Sequence, residues 1–233
     1  MLHIVYGGSA SGKSSYAESF AMSLQGEGRL LYIATMYPYK WNTTEIDPET
    51  MQRIERHRAM RADKGFDTVE CYRHVEHIVA KRQDVLLLEC MSNLLANEMY
   101  LEPDAEAVGI AGKAEVDTET VGMAGKAGAT AEVDTETAGT DSKADSGMSE
   151  TLSPVSKKIV QALVNLSTRV QELVIVTNDV FSDGGSLTYD ESTREYVKNL
   201  AEINCALARV AETVTEVVCG FPVIVKKNHP MGK

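Results

Sequence analysis

Eight consecutive residues, Gly7-Gly8-Ser9-Ala10-Ser11-Gly12-Lys13-Ser14, match G-x-x-x-x-G-K-[ST] in full. This spacing suits the cradling of a polyphosphate. Small side chains let the backbone curl until its N–H groups face phosphate oxygens, and a helix starting where the loop ends adds a partial positive charge. Lys13 then brings a point charge to the transferring phosphate, and the Ser14 hydroxyl is a ligand for Mg²⁺ bridging two phosphates. An apolar run at 2–6 directly before the loop and a helical stretch directly after it supply the context the motif requires.

Two further positions carry candidate chemistry. The run Leu86-Leu87-Leu88 ends in Glu89, and a carboxylate at the end of an apolar strand is where a phosphate-loop protein holds Mg²⁺ or its water. An ordinary solvated strand-end acid fits the spacing as well. His57 stands among Arg53, Arg56, Arg58 and Arg61. Four guanidinium groups around one imidazole suit a polyanionic ligand, and imidazole can attack phosphorus to give a phosphoramidate. A lone histidine on a solvated, charged helix is the other reading, and the residues alone leave both open.

The elements that must position these groups alternate along the chain. Apolar runs at 2–6, 30–34, 85–89 and 173–177 read as buried parallel strands, with two more near the C-terminus at 214–218 and 222–225. Helical patterns occupy 13–24, 48–62, 92–100, 154–171 and 192–212. Strand alternating with helix predicts an α/β three-layer sandwich, a mainly parallel sheet covered on both faces, of the P-loop NTPase, RecA-like kind. At 233 residues the chain suits one such domain, 1–233, better than two.

Charge and composition exclude other classes. With 23 Lys and Arg against 34 Asp and Glu the formal charge is −11, a poor match to nucleic acid or an anionic membrane surface. Between 102 and 150 stand 12 acidic and three basic residues, so that stretch holds −9 of the total. The segment 102–151 has no aromatic residue and repeats Ala-Glu-Val-Asp-Thr-Glu-Thr at 114–120 and 131–137. It cannot bury enough apolar surface to offset its ordering entropy, and is expected to be a disordered acidic insertion within the domain. The four cysteines, Cys71, Cys90, Cys205 and Cys219, show no metal-ligand spacing. No apolar run reaches the ~18–20 residues of a membrane span, and Met1 leads straight into a strand-like run. A cytoplasmic address with free thiols is the expectation.

An ordered set of motifs now carries a resemblance. The phosphate loop, then Tyr-Ile-Ala-Thr at 32–35, Arg-Ile-x-x-His at 53–57, Thr-Val-Glu at 68–70, Leu-Leu-Glu-Cys at 87–90 and Val-Thr-Asn-Asp-Val at 176–180 together resemble the bifunctional adenosylcobinamide kinase and adenosylcobinamide-phosphate guanylyltransferase family of cobalamin assembly. The resemblance covers both flanks of the insertion, roughly 1–101 and 154–226. It implies two reactions. A nucleoside triphosphate, ATP or GTP, phosphorylates the aminopropanol hydroxyl of adenosylcobinamide. GMP is then transferred from GTP to that phosphate, with pyrophosphate released.

By the same resemblance His57 becomes guanylylated; Lys13, read from the phosphate loop, is the other catalytic residue and would stabilise the charge developing on pyrophosphate. Gly7, Gly8, Ser9, Ala10, Ser11, Gly12, Lys13 and Ser14 bind the triphosphate, while Thr35, Met36 and Tyr37 line the nucleotide site. Arg58, Ala59, Met60 and Arg61 follow the nucleophile, and Glu70 and Glu89 face nucleotide or metal, with Ser14 and Glu89 as the Mg²⁺ ligands. The partners implied are the corrinoid substrate and other copies of the chain, a homo-oligomer of trimeric type. Departures from the family pattern are Arg61-Ala62 where an Arg-Pro pair is usual, the 181–189 loop, and the acidic insertion. The competing enzymatic reading is another small-molecule P-loop kinase, which needs only Lys13, Ser14 and a carboxylate and leaves His57 idle. A nucleotide-dependent interaction module using the acidic repeat is the non-enzymatic alternative.

Overall fold

The computed structural model describes residues 1–102, 152–179 and 189–228. All but the first residue of the expected acidic insertion, and the loop that departs from the family pattern up to 188, therefore lie outside the described residues.

The apolar runs form strands because their β-branched and leucine side chains can be buried on both faces of a sheet. In chain order the elements are β1 (Leu2–Gly7), α1 (Lys13–Leu24), β2 (Leu30–Ala34), α2 (Pro48–Arg61), β3 (Phe66–Glu70), β4 (Val85–Glu89), α3 (Met91–Tyr100), α4 (Pro154–Arg169), β5 (Glu172–Asn178), α5 (Glu191–Val210), β6 (Thr213–Val218) and β7 (Phe221–Lys227). The sheet order is β3-β2-β4-β5-β1-β6-β7. Every pairing is parallel except β6 with β7. Leu31, Ile33, Leu86, Leu88, Leu173 and Ile175 pack on one face against α3, α4 and α5. Leu30, Tyr32, Leu87, Val174 and Val176 pack on the other with Ala17 and Ala21 of α1. The expected three-layer sandwich is what forms.

Two strands differ from expectation. β3 has no apolar run, being an edge strand with Asp67 and Thr68 exposed, and its Phe-Asp-Thr-Val-Glu composition hid it. β7 is apolar but antiparallel and bare, with Phe221 75% exposed. It turns back from β6 through Cys219 and Gly220, both at positive φ, the two-residue hairpin geometry that matches strand twist. Helix ends follow local chemistry. Asp47, Ser153 and Asp190 cap α2, α4 and α5 by accepting the backbone N–H three residues on, and Pro48 and Pro154 occupy first-turn positions where no amide is needed.

Candidate functional site

β1 delivers the chain to the phosphate loop at the C-terminal edge of the sheet. The loop is pressed against the β6–β7 hairpin, which explains two of its glycines. A Cβ on Gly7 would stand 2.6 Å from the Val217 carbonyl oxygen, and one on Gly12 would stand 3.2 Å from Gly220 Cα. Gly12 also takes φ 92°, a left-handed conformation open to glycine. The Gly220 amide donates to the Ser11 carbonyl at 2.8 Å, locking hairpin to loop. No side chain caps the start of α1, so its first amides face the loop's interior without a side-chain acceptor. Lys13, 8% exposed, folds back over the loop and donates to the Gly8 carbonyl at 3.0 Å.

The register of the sheet brings the carboxylates to this edge. Glu89 on β4 pairs with Ala34 on β2 and Val176 on β5, one strand away from β1. The Ser14 hydroxyl donates to Glu89 Oε1. Glu89 Oε2 is sealed from solvent with no hydrogen-bond partner. Burial pushes the Glu89 carboxyl up, opposed by the Ser14 hydrogen bond and by Lys13 and Arg61, with Glu18 adding to the rise. Two hard oxygen donors, one with unused acceptor capacity, fit Mg²⁺, which takes one or two protein ligands together with substrate phosphates. Among the described residues no cluster of three His, Cys, Asp or Glu could hold a metal by itself.

His57 is half-buried on α2, one turn before Arg61. Arg61, 5% exposed, lays its guanidinium 3.4 Å above the Tyr32 ring, while its Nε and Nη1 are buried without hydrogen-bond partners. Burial lowers the His57 pKa, with Arg61, Arg56 and Arg53 pushing the same way and Glu18 opposing. Neutral imidazole is therefore favoured, the form that carries a nucleophilic lone pair. The other residues expected to follow the nucleophile are placed differently. Arg58 is ion-paired with Glu70, which also accepts from the Tyr72 hydroxyl at 2.9 Å. Ala59 is exposed and Met60 is 50% exposed.

Thr35, expected at the nucleotide, is fully buried and occupied by the protein. Its amide donates to the Glu89 carbonyl at 3.1 Å, its hydroxyl donates to the Cys90 carbonyl at 2.9 Å, and its own carbonyl accepts from Asn97 at 2.8 Å. Beyond it the chain opens into a cleft of about 290 Å³ holding Met36 and Tyr37, with Tyr39 and Trp41 from the same loop, Thr50 and Arg53 from α2, and Asn93 and Asn97 from α3. The Tyr37 hydroxyl is buried with no partner. Arg53 and Thr50 precede His57 by one and two turns of α2, so the cleft begins roughly 6–10 Å along the helix from the imidazole. Asn97, Tyr39, Trp41 and the Arg61–Tyr32 stack escaped sequence reasoning. For Asn97 the available signal was a polar residue amid the apolar positions of α3.

No helix among the described residues is long and apolar enough to cross a membrane. A profile of the family described as cobinamide kinase / cobinamide phosphate guanyltransferase matches residues 3–225. The bifunctional adenosylcobalamin biosynthesis protein CobU of Escherichia coli is 32% identical over 103 residues, covering 43% of this chain and 51% of that protein. The protein of the same description from Salmonella typhimurium is 33% identical over 104 residues, again 43% and 51%. The matched region thus spans about half the length of these curated relatives. Among solved structures, the flagellar accessory protein FlaH of Methanocaldococcus jannaschii aligns over 97% of this chain and 78% of that chain at 12% identity and a TM-score of 0.42, a likeness too distant to bear on function.

Proposed function

The chain belongs to the cobinamide kinase / cobinamide phosphate guanyltransferase family, and from that premise we propose that it phosphorylates adenosylcobinamide and then transfers GMP from GTP to the phosphorylated product. The observation that carries the reading is the pairing of a complete phosphate loop, with Ser14 on Glu89, and a half-buried His57 on a helix that ends in Arg61, whose buried Nε and Nη1 have no hydrogen-bond acceptor.

In the first reaction Lys13 and the loop amides hold the triphosphate, and the acceptor hydroxyl attacks the γ-phosphorus: the new O–P bond forms, the bond to the β-phosphate oxygen breaks, and the nucleoside diphosphate and the hydroxyl proton leave. In the second, the neutral ring nitrogen of His57 attacks the α-phosphorus of GTP. An N–P bond forms, the bond to the pyrophosphate oxygen breaks, and Lys13 stabilises the departing charge. The acceptor's phosphate oxygen next attacks the same phosphorus, the N–P bond breaks, and the imidazole regains its lone pair. Arg61, buried and short of acceptors, suits the α-phosphate oxygens. The nucleoside then extends toward the cleft of Tyr37, Tyr39 and Trp41, whose aromatic faces suit a purine. Ser14 and Glu89 are the ligands offered to Mg²⁺, which when bound neutralises charge on the polyphosphate.

From the resemblance we also propose that the chain assembles as a homo-oligomer. The bare apolar strand β7 supports that reading, because exposed edge strands of this composition invite pairing. The test of function is turnover: purified protein with adenosylcobinamide, Mg²⁺, ATP and GTP, the products resolved by mass. Adenosylcobinamide phosphate followed by adenosylcobinamide-GDP is expected. Absence of either product from a folded preparation overturns the corresponding half.

A further inference from the structure

The end of α2 nearest the phosphate loop is seated by charge. Among the buried residues of this helix there is no apolar side chain, only Arg61. Beneath it, Glu18 lies on α1 one turn after Ser14, on the same helix face, and is 1% exposed. The Glu18 carboxylate is ion-paired with the ammonium of Lys64. Lys64 stands three residues past the end of α2, where its amide closes the turn on the Arg61 carbonyl at 2.9 Å. One turn therefore carries two anchors, Arg61 stacked on Tyr32 of β2 and Lys64 paired with Glu18 of α1.

A carboxylate sealed at this depth is costly unless paired, so Glu18 favours the single placement of the turn in which Lys64 reaches it. His57 lies one turn before Arg61. Any slip or rotation of the helix end is passed to the imidazole, whereas Lys13 and Ser14 are fixed by β1 and by the hairpin contacts of the loop.

We propose that Glu18 and Lys64 are positioning residues for the GMP-transfer half-reaction, holding the nucleophile helix against the phosphate-loop helix so that His57 reaches the α-phosphorus. The proposal rests on the assignment of His57 made above. It predicts a step-specific defect, because the γ-phosphorus reacts at the loop and not at the imidazole. Misplacing a reacting group by about an ångström costs on the order of 100-fold.

The experiment compares wild type with Lys64→Met, Lys64→Arg and Glu18→Gln in three readouts: single-turnover labelling of the protein by α-labelled GTP, the Kd for GTP, and γ-phosphate transfer to the corrinoid. Lys64→Met and Glu18→Gln are expected to slow labelling roughly 10- to 100-fold, with the Kd for GTP and γ-transfer each within about 3-fold of wild type. Lys64→Arg, which keeps the charge, restores most of the labelling rate. Equal loss in both reactions, a loss confined to Kd, or normal labelling in Lys64→Met overturns the proposal. If wild type itself forms no adduct, the reading of His57 fails instead. The pair is then judged by amide exchange at 57–64, where protection unchanged by Lys64→Met refutes it. Should Glu18→Gln fail to fold, the Lys64 variants decide alone.

Discussion

Helices α2 and α5 are held to the sheet by opposite means. α5 buries Leu200, Ile203, Ala206 and Leu207, an apolar stripe at helical spacing whose burial is worth roughly 1.5–3 kcal/mol per large side chain. α2 buries one residue, and that is an arginine; its remaining ties are Arg58 to Glu70 and, just past its end, Lys64 to Glu18. Apolar burial is non-directional and stabilises the fold. Paired charge contributes little net stability but specifies geometry. The difference separates the part of the molecule that makes it fold from the part proposed to do chemistry, and it can be probed from both sides.

The largest effects belong to the charged side. His57→Ala is expected to abolish labelling by α-labelled GTP while leaving the melting temperature within about 2 °C of wild type, because a half-buried ring on a polar helix contributes little packing. Lys13→Ala is expected to lower both reactions roughly 10²- to 10³-fold, measured as initial rates at saturating GTP. On the apolar side, Leu163→Ala in α4, at a fully buried position, is expected to destabilise by about 2–5 kcal/mol in urea unfolding and to leave the activity per folded molecule unchanged. Should His57→Ala destabilise as much as Leu163→Ala, the contrast between the two regions collapses.

Arg61→Met sharpens it. Methionine can keep a flexible apolar contact with Tyr32 and removes a buried cation with orphaned donors, so stability is expected to hold or rise while guanylyl transfer falls roughly 10- to 100-fold.

The smallest effect expected is a pH dependence. The His57 pKa is lowered by burial and by Arg61, so the labelling rate should decline on acidification with a midpoint below the ordinary ~6.5. In Arg61→Met one of the lowering causes is gone, and the midpoint should move up. The sign for folding is the same: between the folded pKa and ~6.5 the unfolded chain binds a proton that the folded ring refuses, so this contribution to stability grows as pH rises through that window and is complete above it. NMR titration of the His57 ring in both proteins measures the shift; an unperturbed or raised pKa contradicts the placement of Arg61.

What was legible beforehand follows the same division. The buried strands and α1 announce themselves through apolar runs and a complete loop motif, since both depend on local composition. The expected bounds of β2, β4 and α1 agree with those observed, while α4 and α5 end two residues sooner than their periodicity suggests, where the chain turns toward the next strand. β3 was not legible, because an edge strand need not be apolar. Within the site, Lys13, Ser14 and Glu89 come together as their motifs imply. The occupation of Thr35 by Asn97 and the main chain, the turning of Arg58 to Glu70, and the Glu18–Lys64 pair depend on contacts between residues distant in sequence, for which periodicity carries no signal.

The most direct test of the central claim, that His57 takes up GMP, is incubation of wild type and His57→Ala with Mg²⁺ and GTP labelled at the α-phosphate, followed by denaturing electrophoresis and mass mapping of the label. The account predicts an acid-labile, alkali-stable adduct on His57 of wild type and none on the variant. An unlabelled wild-type protein that still transfers γ-phosphate, or label on another residue, contradicts it and leaves a phosphate-loop kinase.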